Sequence, residues 1–150
     1  MSATWQILSP LTPREMLDLE AECNRVVTDY LDDHPDCDDT WGELGAGGAL
    51  PTQPEVVSAY QRYRLALPDV ILEKLAACRS SMRIDRPGDL SVDRLQVSVL
   101  RYLVERAGDG LVLFNDYPFV LAARVLTDLR KAPSARGFTS DAPPPPRKRA

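Results

Sequence analysis

One local signature occurs twice and dictates where two helices must begin: Thr12-Pro13-Arg14-Glu15 and Thr52-Gln53-Pro54-Glu55. A Thr at the cap, a Pro in the first turn and a Glu three residues after the cap make a capping box. The Thr hydroxyl and the Glu carboxylate each satisfy a backbone N–H that the helix itself leaves unpaired. After the first box, Met16, Leu17, Leu19, Cys23, Val26, Val27, Tyr30 and Leu31 recur at helical spacing until Pro35, which predicts a helix over 13–32. After the second, Val56, Val57, Tyr60 and Tyr63 carry a helix to Pro68, where Asp69 is placed to cap a third with Val70, Ile71, Leu72, Leu75, Ala76 and Cys78. Ser91 is the expected cap of a fourth, whose stripe of Val92, Leu95, Val99, Leu100, Leu103 and Val104 ends at Gly108-Asp109-Gly110.

Between these helices the chain is less regular. Residues 33–51 contain Gly45-Ala46-Gly47-Gly48 without a period and predict a long loop, with room for a short helix near Trp41. Leu111-Val112-Leu113-Phe114 reads as a short strand, and Asn115 or Asp116 as the cap of a last helix from about Tyr117 to Lys131, with Pro118 in its first turn. Beyond Ala132, the run Pro143 to Pro146 followed by Arg147, Lys148 and Arg149 marks a polyproline-like or disordered tail. The expected fold is all-α, a four-helix bundle in residues 1–132, with a long loop after its first helix and the Pro-rich basic tail in 133–150.

Charge excludes some functions. The 150 residues carry 18 Lys and Arg against 22 Asp and Glu, a net charge of −4, so neither a uniform coat on nucleic acid nor adsorption to an anionic membrane is expected. With a mean hydropathy of −0.24 and no long apolar run, no membrane span is expected either. The start of the chain has neither a basic segment nor a long apolar stretch, so no signal peptide is expected. Three cysteines at irregular spacing, Cys23, Cys37 and Cys78, fit a reducing, cytosolic setting better than a disulfide framework.

No constellation of catalytic residues stands out. His34, Cys37, Asp36, Asp38 and Asp39 lack the ligand set for zinc and the central Gly and closing Glu of a calcium loop, so an acidic surface loop is favoured over a metal site. No Ser sits in a nucleophile-elbow context, and the glycines at 45–48 neither follow a strand nor precede a phosphate-binding Lys. No enzyme activity, cofactor or small-molecule substrate is expected. Two charge features remain. Seven carboxylates and no base lie between Asp29 and Glu43, either a solubility patch or a repulsion that protons or cations relieve. Six arginines lie in 79–106, with Arg79 and Arg83 one helical turn apart and Arg94 and Arg101 seven residues apart on one helix face.

The order of these pieces resembles the coat proteins of rod-shaped plant RNA viruses, the tobamovirus type. The resemblance is carried by Ile7-Leu8-Ser9 with Pro13, Glu15, Met16, Leu17, Leu19 and Asn24; by Tyr60, Arg62, Tyr63, Pro68 and Asp69, continuing to Leu75, Cys78, Arg83 and Ile84; by Val92, Asp93, Val97 and Val99; and by Phe114, Asn115 and Phe119. It runs over about residues 4–125. Asp116 stands where the family has an arginine, and the tail has no counterpart. The resemblance implies a subunit that polymerises with copies of itself into an open helical rod in the virion and host cytoplasm, packaging single-stranded RNA. It further implies Arg79, Arg83, Arg94 and Arg101 on phosphates, Asp93 on a base or ribose hydroxyl, and Asp36, Asp38, Asp39 and Asp69 as carboxylates that set an assembly threshold. The rival from the residues themselves is a cytosolic helical adaptor or regulatory protein that binds one protein partner.

Overall fold

Residues 3–9, Ala-Thr-Trp-Gln-Ile-Leu-Ser, alternate Trp5 and Ile7 with Thr4 and Gln6, a two-residue period that belongs to a strand with two different faces. In the computed structural model, which describes residues 3–33, 43–86, 94–114 and 118–131, this segment is strand β1 (Ala3–Ser9) at the centre of a sheet. The remaining elements are α1 (Pro13–Asp33), β2 (Glu43–Ala46), α2 (Gln53–Arg62), α3 (Asp69–Ala77), β3 (Ser80–Arg86), α4 (Arg94–Ala107), β4 (Leu111–Phe114), β5 (Val120–Leu121) and α5 (Ala122–Arg130). The five strands pair antiparallel in the order β2-β3-β1-β4-β5.

The expected all-α four-helix bundle is therefore corrected to a mixed α/β fold. The physical reason lies in β1 and β3. Met82 and Ile84 alternate with Ser81, Arg83 and Asp85, and the register sets Ile7 beside Met82 and Trp5 beside Ile84. On its other edge β1 sets Ile7 beside Val112 and Trp5 beside Phe114, and the two aromatic rings lie 4.4 Å apart. Cross-strand pairs of this kind hold the register, because a slip of one residue would turn every apolar side chain to the wrong face.

The sheet has two unlike sides. On one, Ile7, Met82, Ile84 and Val112 join a core with Met16, Leu19, Cys23 and Val27 of α1, Val99 to Val104 of α4 and Leu129 of α5. Among the described residues the other is covered at one end, where α2 and α3 bring Val56, Tyr60 and Ile71 over Leu8 and Leu111. Gly110 lets the chain entering β4 lie against β1, since a Cβ there would sit 1.9 Å from the carbonyl oxygen of Leu8.

Both capping boxes form. The Thr12 amide donates to Glu15 Oε1 at 2.9 Å and the Glu15 amide to Thr12 Oγ1 at 3.1 Å, and Thr52 with Glu55 repeats the pattern at 3.0 and 3.3 Å. Each Glu carboxyl is held below its ordinary value, first by the Thr backbone N–H and then by the Thr hydroxyl. Three boundaries differ from expectation. Asp69 lies in the first turn of α3, where Pro68 occupies the cap and makes no side-chain cap bond. The last helix begins at Ala122, after β5, so Pro118 precedes it and is not part of it. The stretch read as a loop holds strand β2, whereas Trp41, Ser91 and the 133–150 tail lie outside the described residues.

Candidate functional site

The four arginines singled out from the sequence fall in different environments. Arg79 stands just before β3, exposed, with its Nε donating to the Pro10 carbonyl at 3.1 Å and its amide to Ser9 O at 2.8 Å. Arg83 lies within β3 on the open, polar side of the sheet, between Gln6 of β1 and Gly45 of β2. A Cβ at Gly45 would meet nothing within 4 Å, so the surface beside Arg83 on β2 is open among the described residues. Its Nη2 sits 3.2 Å from Asp85 Oδ1, which also accepts from Thr4 Oγ1 at 2.9 Å. Arg94 is the first residue of α4.

Arg101 is a correction to the expected arginine face of the fourth helix. It is 5% exposed, with Nε 3.9 Å from Glu105 Oε1 one turn on. Helix α4 lies between the sheet, α1 and α5, so Ser98, Val99, Leu100, Tyr102, Leu103 and Val104 are buried with it. A seven-residue spacing gives a common face, and at Arg101 that face is inside. The structure thus does not gather Arg79, Arg83 and Arg101 on one surface. Asp93, Asp36, Asp38 and Asp39 lie outside the described residues, while Asp69 is exposed at the start of α3.

The buried reactive groups are quiet. Burial pushes the Cys23 thiol well above its ordinary value and the Cys78 thiol up to about 11, which keeps both as neutral, inert thiols. Tyr102 donates to Glu22 Oε1 at 2.6 Å beneath the Arg106 guanidinium, 3.6 Å from the ring centroid. Burial, then the Glu22 hydrogen bond, raises the Tyr102 phenol, so it stays protonated and ties α4 to α1. Among the described residues no group of three His, Cys, Asp or Glu side chains could hold a metal ion.

A different surface stands out: the turn joining α2 to α3. Helix α2 closes in a Schellman arrangement, with Leu65 N donating to Tyr60 O at 2.9 Å and Arg64 N to Gln61 O at 3.0 Å. The left-handed residue that this closure requires is Arg64, at φ 55°, where glycine is usual. The apolar residue that usually packs back on the helix after such a closure is Leu65, yet it is 54% exposed, beside Tyr63 at 37%. Arg62, Arg64 and Ala66 are exposed with them. The base of the turn is fixed, because Tyr60 is buried and its hydroxyl donates to the Phe119 carbonyl. One signal in the sequence points here: between Tyr60 and Pro68 a helix has to stop without any Gly or Asn.

No protein-family model, curated protein or solved structure matches this chain.

Proposed function

We propose that this chain is a non-enzymatic binding module, an adaptor or regulatory domain that holds a protein partner at the α2–α3 turn. The single observation that carries the reading is Arg64. A left-handed arginine is less stable than a left-handed glycine by roughly 1 kcal/mol, and such strain persists where a side chain is wanted at that spot. Next to it, Tyr63 and Leu65 expose apolar surface on a firmly held base, the arrangement in which an interface anchor loses little entropy on binding.

The coat-protein reading relied on a helical bundle to supply its subunit contacts, and Ile7-Leu8-Ser9 and Arg83-Ile84, which carried much of the resemblance, belong to sheet strands. Without the bundle, that reading retains, among the arginines whose side chains are described, the exposed Arg79 and Arg83, one on the flank and one on the open side of the sheet.

A photo-reactive residue placed at position 65 tests the proposal, with one at position 17 as reference, because Leu17 is equally exposed on α1. In cells of the source organism, position 65 should capture one dominant protein that position 17 does not. Equal capture at both positions, capture of RNA, or rods and discs in electron micrographs at acid or neutral pH would each overturn it.

A further inference from the structure

Resting on that reading, we infer that the α2–α3 turn recognises an acidic peptide segment with an apolar anchor, its carboxylates meeting Arg62 and Arg64 and its apolar side chain meeting Tyr63 and Leu65. Arg62 and Arg64 bracket Tyr63, and among the described residues neither forms an ion pair or a side-chain hydrogen bond. Some cations elsewhere on the chain are engaged, Arg83 with Asp85, Lys74 with Asp109 and Arg14 with Asp18, whereas Arg62 and Arg64 stand two residues apart without such a partner among the described residues. Two guanidiniums two residues apart concentrate positive charge at one turn of a chain whose net charge is −4.

The planar fork of a guanidinium matches a carboxylate in paired hydrogen bonds. Arg62 also lies in the last turn of α2, where a cation is favoured by the helix dipole and needs no acidic neighbour to remain ordered. The alternative anion is the RNA backbone. Two cations release few counterions, giving a salt slope of only about −1.4 for single strands, which is weak and nonspecific attachment. Tyr63 could stack only a single base, whereas Leu65 beside it suits an aliphatic or aromatic side chain of a peptide.

Fluorescence polarisation of the full chain decides the matter, with three labelled probes: a peptide repeating Glu-Glu-Leu, the same peptide with Gln for Glu, and poly(U). The acidic peptide should bind at least about tenfold more tightly than the Gln peptide, and Arg62→Glu with Arg64→Glu should remove that preference. Arg64→Gly should weaken acidic-peptide binding while leaving the chain at least as resistant to urea, which separates lost recognition from lost fold. Equal binding of the Gln and Glu peptides, tighter binding of poly(U), or a concentration-dependent dimer abolished by the same arginine changes would overturn the inference. If position 65 still captures a protein in cells while the acidic peptide fails to bind, the peptide chemistry is wrong and the binding module stands. If both fail, the binding module falls too.

Discussion

Helices α2 and α4 both run into a left-handed residue, but α4 uses Gly108 at φ 86° and α2 uses Arg64 at φ 55°. Behind those ends the two helices also treat their arginines and leucines oppositely. In α4 an arginine, Arg101, is buried and Leu100 and Leu103 are fully enclosed; past α2, Leu65 is in solvent with Arg62 and Arg64 beside it. A helix wedged between a sheet and two other helices has no choice but to neutralise its charge internally. A helix covering only one end of a sheet leaves its far tip free to serve another purpose. The contrast separates arginines that hold the fold from arginines available to something outside it.

The largest expected effect tests the inner half of the contrast. Arg101→Ala should cost about 3 kcal/mol in urea unfolding, because it leaves the half-enclosed Glu105 carboxylate without its ion-pair partner, and Arg101→Met with Glu105→Leu should recover most of that loss. A cost near zero would make Arg101 a surface arginine after all. Smaller, at about 1 kcal/mol, is the destabilisation expected for Gly108→Ala, since a Cβ at that φ is strained; an unchanged denaturation midpoint would show that α4 ends otherwise.

The capping boxes provide a pH-dependent check. Glu15 and Glu55 are held below their ordinary 4.5, so their stabilisation is complete above that value and is lost as pH falls through the lowered one. Replacing both with Gln should flatten the acid limb of the stability profile below about pH 5 relative to the parent chain. An acid limb of the same steepness in both proteins would show that other carboxylates control it. Smallest, and opposite in sign, is Arg64→Gly: relief of the left-handed strain, less the entropy of a freer unfolded chain, should stabilise by about 0.5 kcal/mol in thermal unfolding. Destabilisation instead would mean that the Arg64 side chain supports the fold, and the comparison between the two helix ends would lose its meaning.

The helices were legible because their signals are local. A Thr, a Pro and a Glu within four residues specify a start whatever the rest of the chain does, and α1 and α2 begin where that chemistry puts them. Of the strands, β4 was read where it lies, at Leu111–Phe114, but the others were not, although β1 and β3 carry an alternation that is visible in retrospect. Arg79 and Arg83 show why: a spacing of four puts two residues on one side of a helix and equally on one side of a strand, so their separation could not discriminate between the two. Arg101 was missed for a different reason. The apolar stripe of α4 was visible, but whether its other flank is also covered depends on α1 and α5, which no pattern within α4 encodes. The α2–α3 turn left its trace as an omission, a helix end without glycine, where the usual signals are positive ones.

The central place of β1 has a consequence for how the chain is made. Residues 3–9 leave the ribosome well before the neighbours they pair with, Ser80–Arg86 on one side and Leu111–Phe114 on the other. At ordinary synthesis rates, Val112 follows Ile7 by on the order of ten seconds. Until Ser80–Arg86 emerge, Trp5, Ile7 and Leu8 have no described strand to pair with, and this early segment is the keystone that later strands must close around.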